Sequence, residues 1–86
     1  MSVPLLFKMD LSLLNRITTH PKILGGKPIV RGMRISVIHI LQMLSRGITE
    51  GEILDEYPIL EKDDIRACLV YAAHVMDSKE EEAIHE

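Results

Sequence analysis

The 86-residue chain has no tryptophan, one phenylalanine and two tyrosines, so its core must be built from Leu, Ile, Val, Met and Ala. That palette suits packed helices. A single cysteine, Cys68, closes no disulfide within the chain and gives no Cys pair for a tetrahedral metal site, which predicts a reducing compartment. No apolar run approaches the ~20 residues of a membrane span. Leu5-Leu6-Phe7 is interrupted by Lys8 and Asp10 before it reaches the length of a signal-peptide core. A soluble cytoplasmic protein is therefore expected. A chain this short supports one domain, for which homodimerisation is a route to further stability.

Acidic residues are missing from Leu11 to Thr49, a stretch that carries Arg16, Lys22, Lys27, Arg31, Arg34 and Arg46. From Glu50 to Glu86 the balance reverses, with 12 acidic residues against Lys62, Arg66 and Lys79, a difference of −9. The net charge of −3 is not that of a generic nucleic-acid binder. Its segregation nonetheless predicts two surfaces, a basic one suited to phosphate and an acidic one suited to a protein. Association of one copy's basic half with another copy's acidic half fits the charges equally well.

Residues 1–15 have no clean cap beyond Asp10 and read as an N-terminal arm with a helical turn. Residues 16–77 read as the folded domain, and 78–86, with Glu80-Glu81-Glu82, as a solvated acidic tail. Within the domain, Ile17-Thr18-Thr19 is β-branched, Pro21 and Gly25-Gly26 punctuate, and Pro28 keeps Lys27 out of the helical region. Ile29-Val30 and Arg34-Ile35 flank Arg31-Gly32-Met33-Arg34, where Gly32 at the first central position predicts a type II′ hairpin.

Ser36 then caps a helix marked by Val37, Ile40, Leu41, Leu44 and Ile48, with Gly47 as its stop. Thr49 and Glu52 have the capping-box spacing, and Ile53, Leu54 and Tyr57 form the face of a short second helix ended by Pro58. Ile65, Leu69, Ala72 and Met76 mark one stripe of a third, whose first turn carries Glu61, Asp63 and Asp64, favourable for its dipole. The expected fold is mainly α: a three-helix, helix-turn-helix core preceded by a short N-terminal β-ribbon.

That outline suits DNA, but it is also a simple way for a short chain to bury a core. The carboxylates opening the third helix would repel phosphate. The better nucleic-acid candidates are Arg16, Lys22, Lys27, Arg31 and Arg34 of the ribbon. An arginine fork matches guanine or phosphate, and lysines act as point charges. Solubility and protection of a strand edge would explain the same charges. Gly25-Gly26-Lys27 lacks the spacing of a phosphate-binding loop, and His20, His39, His74 and His85 are too scattered for a metal site. Cys68 beside the apolar stripe reads as a small buried hydrophobe. No catalytic constellation can be assembled, so neither an enzyme nor a cofactor or metal is expected.

The block Arg16-Ile17-Thr18, Pro21, Gly25-Gly26-Lys27-Pro28-Ile29-Val30, Arg31-Gly32-Met33-Arg34-Ile35 and Tyr57-Pro58 resembles a prokaryotic family of small proteins known as domain of unknown function 433. The resemblance implies a homeodomain-like core behind a β-ribbon. It further implies an antitoxin role in a toxin–antitoxin pair whose toxin is a PIN-like nuclease. Met33 stands where threonine is expected, and Glu61 where the last helix of the family opens with a hydroxyl cap.

The leading expectation is a DNA-binding, antitoxin-like regulator. Its basic ribbon would contact operator DNA, and the acidic residues Glu50, Glu52, Asp55 and Glu56 would engage the PIN-like partner. The alternative is a protein-interaction module that never touches nucleic acid, which the acidic third helix favours.

Overall fold

The two β-branched pairs flanking the glycine-rich stretch become the strands, β1 (Ile17–Thr18) and β2 (Ile29–Val30). In this computed structural model, which describes residues 9–84 and their side chains through Lys79, they pair antiparallel, Ile17 opposite Val30 and Thr18 opposite Ile29. The Arg31 N–H donates to the Arg16 carbonyl at 2.8 Å, which extends the register by one pair and sets the two arginines opposite each other. Between the strands the chain turns through a short 3-10 segment, Leu24–Gly26, with left-handed backbone at Leu24, Gly25 and Gly26 (φ 48, 67 and 82°). Consecutive glycines suit such a run, because neither has a Cβ to clash.

On its other side β2 meets the chain's return: Ile29 bridges Ser36, and the Val30 N–H donates to the Ile35 carbonyl at 3.1 Å. The turn between them differs from the type II′ hairpin expected. The Met33 N–H donates to the Val30 carbonyl at 2.8 Å, so the central residues are Arg31 and Gly32, and both have positive φ (43 and 72°). Two positive φ values mark a type I′ turn, whose twist matches that of the strands. Gly32 is thus the second central residue, and Arg31 adopts a conformation that a non-glycine residue rarely takes.

Three α-helices follow: α1 (Val37–Ser45), α2 (Glu50–Glu56) and α3 (Lys62–Ile84). Local chemistry fixes the ends of the first two. The Ser36 Oγ accepts from the His39 N–H at 3.1 Å. After α1, Gly47 (φ 83°) donates to the Leu44 carbonyl and Ile48 to the Met43 carbonyl, the pair of bonds of a Schellman motif. Thr49 and Glu52 form the reciprocal capping box at the start of α2. Past Tyr57, the Leu60 N–H donates to the Tyr57 carbonyl at 2.9 Å, with Pro58 at the second position of the turn that leads into α3.

The core is a small cluster of Val30, Ile35, Val37, Ile40, Ile53, Leu60, Ile65 and Cys68, drawn from β2, the turn region and all three helices. The sequence stripe is accurate for α1 and α2 but not for α3. Ile65 is buried, whereas Leu69 and Met76 are 48% and 61% exposed. The inward face instead runs through Asp64, Ile65, Ala67 and Cys68 to half-buried Tyr71 and Ala72. From Ala73 to Lys79 every described side chain of α3 is exposed.

The boundaries also shift. A 3-10 turn, Leu11–Arg16, opened by Asp10 accepting from the Ser12 N–H, packs along α3, so the expected arm is part of the fold from there on. At the other end α3 continues without a break through Asp77 to Ile84, where a solvated tail from residue 78 had been expected. Met1–Lys8, with Leu5-Leu6-Phe7, and His85 lie outside the described residues. No described helix is long and apolar enough to cross a membrane.

The adjoining stop and start between α1 and α2 predict two measurable losses. Gly47→Ala, which places a Cβ on a backbone at φ 83°, should lower stability by about 1 kcal/mol. Thr49→Ala, which removes a capping oxygen, should also cost about 1 kcal/mol. Urea denaturation should show lower midpoints with unchanged slopes.

Candidate functional site

The residues singled out by charge separate into three groups once folded. Arg16 and Arg31 turn inward toward Asp64, a fully buried carboxylate in the first turn of α3. Arg31 donates through Nε to Oδ1 at 2.9 Å and through Nη2 to Oδ2 at 2.8 Å, a bidentate pair. Its Nη2 also reaches the Ile59 carbonyl at 3.1 Å. Arg16 Nη1 donates to Asp64 Oδ1 at 3.0 Å and to Glu61 Oε1 at 2.6 Å, with Asp63 at 3.8 Å from Nη2. The Glu61 N–H adds a bond to Asp64 Oδ2 at 2.7 Å. That contact is the returning half of a capping box, made although Glu61 occupies the place of the hydroxyl cap. Burial pushes the Asp64 carboxyl up, but the bonds from Arg31, the Glu61 N–H and Arg16 outweigh it and hold the group below its ordinary value. The two arginine side chains keep only 28% and 37% of their exposure.

Lys22, Lys27 and Arg34 form the second group. All three are exposed, and none pairs with a carboxylate among the described residues. Lys27 and Arg34 converge on a hollow of about 250 Å³ beside Ser36, His39 and Tyr57. His39 Nε2 and the Tyr57 hydroxyl are 3.0 Å apart, with their rings edge-on. Lys22 does not line that hollow. No local pattern marks His39 or Tyr57 as a site residue, because one stands in α1 and the other caps α2, 18 positions apart.

The acidic candidates Glu50, Glu52, Asp55 and Glu56 all lie on α2. Glu52 is committed to its cap, where the Thr49 N–H and hydroxyl hold its carboxyl below the ordinary range. Asp55 and Glu56 are exposed and Glu50 is half-buried. None of the four borders an apolar groove of about 590 Å³ between α1 and α3. Its walls are Val37, Ile38 and Leu41 from one helix and Tyr71, Ala72, Val75 and Met76 from the other, with Lys27 and Lys79 at its edge. Ile38 and Val75 are the legible signal for it, since each is an apolar residue adjoining a stripe position.

Cys68 is fully buried, and burial pushes its thiol up to about 12, so it is an inert packing residue. Among the described residues, no three of His, Cys, Asp and Glu are placed to hold a metal ion.

Comparison with known proteins brings in relatives at this point. The sequence profile of the family described as "Protein of unknown function (DUF433)" matches residues 17–72, from β1 to the middle of α3. The uncharacterized protein y4eO of Sinorhizobium fredii is 36% identical over 56 residues, which cover 65% of this chain but 25% of that protein. The chain thus spans about a quarter of the length of that relative. A crystal structure of a DUF433 member from Anabaena variabilis superposes with a TM-score of 0.69 at 28% identity, covering 83% of this chain and 70% of the other.

The buried carboxylate predicts both a large mutational loss and an acid dependence. Asp64→Ala should destabilise the fold by about 3 kcal/mol, because it leaves two arginines facing each other without their anion. The carboxyl is depressed in the folded state, so its contribution is present above its ordinary value of 3.8 and is lost as pH falls below it. The Tm of wild type should therefore fall steeply below about pH 4, and Asp64→Asn should flatten that slope.

Proposed function

The chain belongs to the DUF433 family, and from that premise together with the open groove between α1 and α3 we propose a non-enzymatic regulator that holds a partner protein, as an antitoxin does. The groove carries this reading. Exposed apolar side chains are ordinary when scattered and informative when contiguous. Here Ile38 (49% exposed), Val75 (37%) and Met76 (61%) line one concave face with Leu41, Tyr71 and Ala72. From Ala73 to Lys79 the side chains of α3 are exposed, yet Val75 and Met76 there complete one wall of that face.

Lys27 and Lys79 at the edge favour an amphipathic helix with an apolar face and acidic flanks as the occupant. The PIN-like nuclease that the family resemblance implies is the partner we propose to supply such a helix. Two copies of this chain, each covering the other's groove as a homodimer, are the competing occupancy.

A second reading, operator DNA bound by a helix-turn-helix formed from α2 and α3, draws support from the charge balance at the start of α3. Glu61, Asp63 and Asp64 against Arg16 and Arg31 leave −1, which Lys62 and Arg66 turn into +1. The repulsion of phosphate expected there is largely removed.

The test is a Val75→Glu/Met76→Glu double variant, whose changes fall on exposed positions and should leave the circular dichroism and Tm as they are. Calorimetric titration against a PIN-like nuclease from the same organism should show affinity reduced by at least roughly tenfold, as expected for charges buried in an apolar interface. Equal affinity for variant and wild type, or no binding by wild type, overturns the partner reading. So does light scattering that finds a wild-type dimer which the variant dissociates, since a second copy then fills the groove.

A further inference from the structure

The hollow between the 3-10 turn, the start of α1 and the end of α2 has no role in the partner groove, apart from the shared Lys27. Its lining is Leu24, Lys27, Arg34, Ile35, Ser36, His39 and Tyr57, without a single carboxylate. Lys27 follows the glycine pair and Arg34 precedes the Ile35 end of the β2 return, so the segments on either side of β2 bring two cations, unpaired among the described residues, to one concavity. Its frame is firm: Ile35 and Ser36 are buried, and Ser36 is fixed as the cap of α1. The positive end of α1's dipole lies at the same place.

The contact between His39 Nε2 and the Tyr57 hydroxyl adds a further donor. If the phenol donates to the ring, the imidazole keeps its Nδ1–H; if the ring donates, the phenol O–H is left free. A donor therefore remains in either tautomer. Arg34 supplies a planar fork and Lys27 a point charge. The tetrahedrally arranged oxygens of a phosphate group can meet all three of these sources at once. The volume of about 250 Å³ is that of roughly eight waters at ~30 Å³ each, room for a phosphate with part of its attached sugar.

We propose that this hollow is a phosphate-binding site that takes one backbone phosphate of a nucleic acid. The choice of nucleic acid as the source rests on the second functional reading; the phosphate chemistry rests on the hollow alone.

The experiment follows the His39 ring signals of the full chain by NMR during separate titrations with inorganic phosphate and with a short DNA duplex. Duplex affinity is measured in parallel by fluorescence anisotropy over a range of salt. Both probes should shift His39. A Lys27→Ala/Arg34→Ala variant, folded as judged by circular dichroism, should lose both shifts and bind the duplex at least tenfold more weakly. It should also show a salt slope reduced by about 1. Tyr57→Phe, which keeps the ring and removes the hydroxyl, should weaken phosphate by several-fold.

Duplex binding without a His39 shift, or unchanged in the double variant, overturns the hollow and leaves the nucleic-acid reading standing. A shift with phosphate but no duplex binding supports the phosphate site and overturns nucleic acid as its source. No response to either probe overturns both.

Discussion

Arg16 and Arg31 sit opposite each other across the end of a two-stranded ladder, an arrangement that would destabilise so small a sheet if nothing lay between them. Asp64 lies there. A carboxylate with no exposure is costly unless its lone pairs are filled. The two arginines and the Glu61 N–H fill them with four bonds. Each side of this cluster makes the other tolerable. It also ties together, on the polar side, elements that the core cluster joins on the apolar side: the ladder, the turn after α2 through the Ile59 carbonyl, and the first turn of α3. Among the described residues no buried side-chain polar atom lacks a partner, so the polar interior is complete.

This cluster changes the meaning of the charge segregation along the chain. A basic half and an acidic half suggest two surfaces or two molecules. Here the halves meet inside one molecule, where Arg16 and Arg31 neutralise Asp64 and Glu61. Of the charges that the sequence put forward as site residues, those left for other molecules are Lys22, Lys27 and Arg34 on the ribbon side, and Glu50, Asp55 and Glu56 on α2. Arg31 pays a local conformational cost, a left-handed φ of 43°. Glycine there would relieve the backbone and lose the bidentate pair, so the ion pair explains why an arginine occupies the first position of a type I′ turn.

How far the sequence could be read follows the range of the physics involved. The Ser36 cap, the Gly47 stop, the Thr49–Glu52 box and the Pro58 turn are rules acting over a few residues, and each appears where the residues imply. The hairpin was legible but its turn was displaced by one residue, because a glycine at either central position satisfies a primed turn and only the strand register decides between them. In α3, apolar residues at 65, 68, 69, 72, 75 and 76 surround much of the helix, so periodicity alone could not select the inward face. The partners of Asp64 lie 33 and 48 positions away. No local pattern encodes that convergence, and it is why Arg16 and Arg31 resembled free DNA-contacting residues. The groove is legible only in part for a related reason: the stripe assigned Ala72 and Met76 to the core, and Tyr71 and Val75 lie beside that stripe.

Lys27 lines both the apolar groove and the phosphate hollow, and this shared position constrains how the two proposals combine. One ammonium cannot fully serve an acidic flank in the groove and a phosphate in the hollow at once. If both ligands bind, each must weaken the other by the part of its affinity that Lys27 supplies, and by linkage the weakening is reciprocal. The coupling is bounded by one exposed charge, so it would tune occupancy without switching it. The link needs no conformational change, because Pro28 holds Lys27 in extended backbone and the glycine pair before it sets its position. A stronger coupling would require the frame of the hollow to move, and the buried Ile35 and capped Ser36 tie that frame to the same core that Asp64 holds to the ladder.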